Sequence, residues 1–184
     1  MLRAGNASGV VLNSEVLSAE HLVNLLGSLV SRVVPEMAVA YCGGTAANQH
    51  VPGRFDHVLV LNDDTLVAVS VKRAVNATLM EHLTNNRGDL SHLQLDQSYL
   101  DTAMSRAVTN LVHAATQAVQ RPNVLLLHYW VPSSTVADQV RSAYHLAMSE
   151  HHSQAVTLLL TQTADPAVYL DGPGRRRRRR SSEE

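Results

Sequence analysis

Two runs rich in valine and leucine, residues 55–61 and 65–71, flank Asn62-Asp63-Asp64. Runs of this length and composition read as strands, and the three residues between them tolerate the backbone of a tight reversal. The spacing predicts an antiparallel hairpin from Phe55 to Lys72, to which the rest of the chain must adapt. Alternation along the second strand puts Ser70 and Lys72 on one face. Asp56 opens the first strand, so pairing carries it towards the end of the second. An acid, a hydroxyl and a lysine are thereby expected at one edge of a sheet.

The flanks supply the remaining elements. Apolar residues from Leu22 to Val33 recur at helical spacing, which predicts a helix over 18–34 started by Ser14 or Ser18 and ended by Pro35. Met37 to Cys42 reads as a short strand. A short helix is expected at Ala77 to Leu83, then a long one from Asp89 or Ser91 to about Gln120. Val124 to Trp130 has the unbroken apolar pattern of a strand covered on both faces. Ser133-Ser134-Thr135 caps a helix to about Ser149, and Ala155 to Leu160 is a last strand, after which Asp165 to Gly174 loosens into Pro and Gly. This order predicts an α/β fold with a mixed sheet and helices on its faces. The expected boundaries are a lead-in over 1–13, one domain over 14–171 and a tail over 172–184.

Charge divides the chain along the same line. Arg175, Arg176, Arg177, Arg178, Arg179 and Arg180 hold six of the 15 basic residues, and Glu183 and Glu184 two of the 16 acidic ones, leaving nine against 14 in residues 1–174. An acidic body argues against a broad duplex-binding surface, since phosphate contacts dominate such affinity. The six arginines cannot pack together and read as a disordered arm for nucleic acid, nuclear import or an acidic partner. Ser181 and Ser182 beside the glutamates form an acidic setting in which phosphate would offset that charge. Lys72 is the one lysine against 14 arginines.

No apolar run approaches the roughly 20 residues of a membrane span, and Met1 to Asn6 lacks a signal-peptide pattern. With one cysteine, Cys42, read as a small core residue, the expectation is an intracellular protein, nuclear or cytoplasmic, without a membrane association. The ten histidines, among them His57, His145 and His151-His152, show no zinc-site spacing. Arg87-Gly88-Asp89-Leu90 spells an integrin-type tripeptide, but a helix break followed by an Asp cap explains it fully.

The stretch from Gly53 through Asp56 to Lys72 resembles the central motif of the PD-(D/E)xK nucleases, a superfamily of restriction endonucleases and junction resolvases. Its pattern is an Asp opening one strand, a short turn, and an apolar strand ending in acid-x-Lys. The resemblance implies a restriction-endonuclease-like αβββαβ core, here with an extra helix and strand. It also implies a Mg²⁺-dependent phosphodiester site with Asp56 and Lys72 as catalytic residues, Asp56 as metal ligand, and a helix acid, Glu20, completing the metal site. Ser70 stands where the second acid belongs. The expected function is a nucleic-acid-associated protein of that fold, a Mg²⁺-dependent nuclease if Ser70 permits. The alternative is a non-catalytic adaptor or assembly subunit binding a protein partner or a second copy of itself.

Overall fold

In a computed structural model, the described residues are 13–42, 44–45, 54–75, 81, 90, 93–150 and 155–169. Asn13–Leu26 forms helix α1, followed by a single 3₁₀ turn at Gly27–Leu29 and strand β1 at Val30–Pro35. The helix expected to run to Val34 therefore stops eight residues early. Gly27 sits at φ 55°, in the left-handed region, and ends it. The six residues of β1 include three valines, which suit a strand better than a helix.

A second correction follows directly. The expected strand over Met37 to Cys42 is a 3₁₀ turn at Glu36–Ala38 and a two-residue strand β2, Ala40–Tyr41, paired with β3, Gly44–Thr45, and bridged through Tyr41 to Ala118. Cys42 is exposed rather than buried in the core.

The hairpin forms as expected, with β4 at His57–Leu61 and β5 at Leu66–Arg73. Asp64 takes φ 63°, which Asp tolerates, and the Asp63 carboxylate accepts Thr65 N–H at 3.0 Å. Helix α2 spans Gln97–Gln117, strand β6 Val124–Val131, helix α3 Ser134–Glu150 and strand β7 Val156–Gln162. The main sheet is ordered β1-β4-β5-β6-β7, with β1, β4 and β5 antiparallel and β5, β6 and β7 parallel. It is the mixed sheet that the element order implied. No described helix is long and apolar enough to cross a membrane.

Two apolar layers hold the sheet. On one face α2 and α3 bury Met104, Val108, Leu111 and Val140 against Val58, Ala68, Leu127 and Tyr129. On the other, Leu22 of α1 packs against Leu59, Val69, Val71 and Trp130. β6 contributes to both layers, as its unbroken apolar run required.

Helix α2 begins at Gln97, not at Asp89 or Ser91. Asp96 caps it, its carboxylate accepting Ser98 N–H at 2.9 Å. Leu90 and Leu93 belong to the α1 layer and Leu95 to the α2 layer, so this stretch crosses from one face to the other. The side-chain amide of Gln139 fixes the crossing, accepting Leu95 N–H at 3.0 Å and donating to its carbonyl at 2.8 Å. After β7 the chain does not simply loosen. Pro166–Tyr169 forms a short helix, α4, with Tyr169 buried and its hydroxyl donating to the Thr163 carbonyl at 2.9 Å. The helix expected at Ala77 to Leu83 (Glu81 excepted), the RGD tripeptide, His151-His152, the 1–12 lead-in and the arginine tail lie outside the described residues.

Candidate active site

β4 starts at His57, opposite Val69, whereas β5 continues to Arg73. Four residues of β5 thus project past their antiparallel neighbour, and the N–H of Val71 would lack a partner on that side. Asp56, the last residue before β4, supplies it. Its backbone N–H donates to the Val69 carbonyl at 2.9 Å, and its carboxylate Oδ2 accepts Val71 N–H at 2.5 Å. The register of the hairpin therefore dictates where the carboxylate sits.

Two side chains of β5 meet that carboxylate. Ser70 Oγ donates to Asp56 Oδ2 at 3.2 Å, and Lys72 Nζ lies 3.7 Å from the same oxygen. Lys72 also donates to Ser70 Oγ at 2.8 Å and to the Val71 carbonyl at 3.0 Å. Ser70 is buried, while the Lys72 side chain is 39% exposed and that of Asp56 18%. The cluster opens to solvent on the lysine side.

The fourth group comes from α1. Its first turn lies over the end of β6, where Trp130 Nε1–H donates to the Ser14 carbonyl at 3.2 Å. This carries Glu15, itself buried, to Asp56, with which its side chain is hydrogen-bonded. Burial is the main cause pushing the Glu15 carboxyl up to about 8, and the negative charges of Asp56 and Glu36 add to it; Lys72 opposes the shift. Burial and the neighbouring carboxylates thus favour the protonated form of Glu15, which can donate to Asp56. Glu36, whose backbone N–H donates to the Asp56 carbonyl at 3.2 Å, forms an ion pair with Arg54 at 3.6 Å beside the cluster.

The expected residues Asp56, Ser70 and Lys72 are thus together, and Glu20 is not with them. Glu20 is exposed, and five residues of α-helix turn it about 140° from Glu15. The helix acid at the cluster is Glu15. Sequence reading left the start open between Ser14 and Ser18 and took Glu20 as the helix acid; an acid in the first turn after Ser14 was the available signal. Glu15, Asp56, the Ser70 hydroxyl and the Val71 carbonyl form a set of hard oxygen donors. Such a set suits Mg²⁺, which takes one or two carboxylates and completes its shell with water or phosphate. Among the described residues no group of three or more His, Cys, Asp or Glu is placed to hold a metal ion.

Behind the cluster, on the α1 face, lies a polar network that sequence reading also missed. His128, inside the apolar run of β6, is hydrogen-bonded through Nδ1 to Ser18 Oγ at 2.7 Å and through Nε2 to Thr161 Oγ1 at 2.9 Å. Thr161 reaches His21 Nε2 at 3.3 Å, and the His21 and His128 rings stack with centroids 5.8 Å apart. Burial holds His128 down at about 3 and His57 at about 4. Ser18 is fully buried, so the pair ties α1 to β6 and offers no accessible nucleophile. His57 is buried, and among the described residues neither ring nitrogen has a hydrogen-bond partner.

The sequence matches no protein-family model and no curated protein.

Proposed function

We propose that this is a nucleic-acid-associated protein with a restriction-endonuclease-like core, and that Glu15, Asp56 and Lys72 form a Mg²⁺-dependent phosphodiester-hydrolysis site. The observation that carries the reading is the meeting of these residues with Ser70 at the end of β5. They come from three separate elements, which chance solvation of strand ends does not produce. The order α1, β1, β4, β5, α2, β6 agrees with the αβββαβ core, with α3 and β7 as additions. Glu15 and Asp56 would hold the cation with help from the Val71 carbonyl. A bound Mg²⁺ supplies charge neutralisation at phosphate and a more acidic water. Lys72, solvent-facing and anchored by Ser70 Oγ, stabilises negative charge developing on the phosphate.

One observation favours a non-catalytic subunit instead. Asp56 Oδ2 already takes hydrogen bonds from Val71 and Ser70, and Ser70 brings no negative charge of its own. Calorimetric titration with Mn²⁺ and cleavage of single-stranded and branched DNA and RNA separate the two readings. The catalytic reading expects saturable Mn²⁺ binding that Asp56→Asn abolishes and Lys72→Ala retains, with cleavage lost in both. Neither binding nor cleavage in the wild type would leave the non-catalytic reading standing.

A further inference from the structure

Away from that cluster, a cavity of about 300 Å³ opens on the α2 face of the sheet, at its β1 edge. Helix α2 ends at Gln117 and the chain then runs through Val119, Gln120 and Pro122 towards β6, so that none of the described helices covers the β1–β4 end of that face. Val34, Phe55, Val58, Val60 and Leu66 line it, and exposed Val119 extends the apolar surface at its rim.

One residue breaks the pattern. Arg32 also lines the cavity, and it pairs across the strands with buried Val60, as Val34 pairs with Val58. Arg32 is exposed, as a charged residue on an edge strand commonly is, so its guanidinium stands at the mouth of the hollow. Among the described residues no acidic side chain lines the cavity and Arg32 has no ion pair. An unpaired guanidinium beside an apolar hollow is complementary to a ligand with one anionic end and an apolar body. The planar fork matches a carboxylate through two parallel hydrogen bonds, and the volume lies at the small end of the range for ligand sites.

We propose that this cavity binds a small amphipathic carboxylate, with its anionic end on Arg32 and its apolar body against Val34, Val58 and Val60. The site is independent of the cluster around Asp56. Titration calorimetry with monomeric decanoate, using decanol as the uncharged control, tests it. Arg32→Gln removes the charge, and Ala38→Trp, at an exposed residue of the lining, fills the space; neither substitution touches the core. The wild type is expected to bind decanoate saturably and decanol roughly tenfold more weakly, the order of one charge-assisted contact. Arg32→Gln should lower decanoate to the decanol level, and Ala38→Trp should remove both while thermal unfolding is unchanged. No saturable binding of decanoate, equal affinity for the alcohol, or undiminished binding by Arg32→Gln would overturn the proposal.

Discussion

Glu15 makes the sharpest test of how the cluster is built, and replacing it with Gln isolates its proton. The side chain is buried, and its carboxyl is raised from an ordinary 4.5 to about 8, chiefly by that burial and then by Asp56 and Glu36. Because the folded-state value lies above the unfolded one, the folded chain holds an extra proton between these limits. The stability linked to that proton is fully present below pH 4.5 and drains away as the pH rises through 8. The slope is about 1.4 kcal/mol per pH unit. From pH 4.5 to 7 this amounts to about 3 kcal/mol, a sizeable share of the 5–15 kcal/mol of a typical domain. A Gln side chain donates a hydrogen bond to Asp56 without a proton to retain. Urea unfolding followed by far-UV circular dichroism, in a chelator and at half-unit steps from pH 5 to 8, measures the gap. Glu15→Gln and the wild type should be close at pH 5 and diverge as the pH rises, with the variant more stable by up to about 3 kcal/mol at pH 7. A gap that stays constant over this range would refute the idea that Glu15 is folded as a neutral acid.

Other expectations follow from the same contacts. His57 is held down at about 4, so the unfolded chain takes up its proton first as the pH falls below 6.5 and stability is lost from there downwards; His57→Leu should flatten the urea-midpoint profile between pH 6.5 and 5. Gly27→Ala forces a Cβ into the left-handed region at φ 55° and should cost about 1 kcal/mol in chemical denaturation, although nothing lies within 4 Å of the added carbon. Asp96→Ala removes the acceptor for Ser98 N–H at the start of α2 and should cost about 1 kcal/mol, while Asp96→Asn should recover most of it.

The parts of the fold legible in the sequence are those where pattern and partner coincide. The hairpin, β6 and α3 show this, because valine-rich runs and a serine cap have the same meaning whatever packs on them. Ser133 Oγ does accept Val136 N–H, at 3.3 Å. Residues 29–34 were misread because apolar spacing there fits a helix as well as a strand. The choice was made by Gly27 and by the free edge of β4, and only the first of these is local. The start of α2 failed for a similar reason, since Leu90 and Leu93 look like a helix face but belong to the opposite layer. At the cluster, Ser70 and Lys72 were readable from strand alternation and Asp56 from the pairing of the hairpin. Glu15 required knowing where α1 begins, and the Ser18–His128–Thr161 link joins residues 110 and 33 positions apart, which no local pattern reports.

The projection of β5 past β4 gives Asp56 and Glu15 opposite standing under selection. Asp56 satisfies the otherwise orphaned Val71 N–H, so a lineage that had abandoned all chemistry would still retain it to keep its strand end closed. If Glu15→Gln proves more stable at neutral pH, drift alone would exchange Glu15 for Gln or an apolar residue. Among descendants of this chain, Glu15 is therefore the marker to follow: its persistence records a demand beyond folding, and its replacement dates the point at which that demand ended.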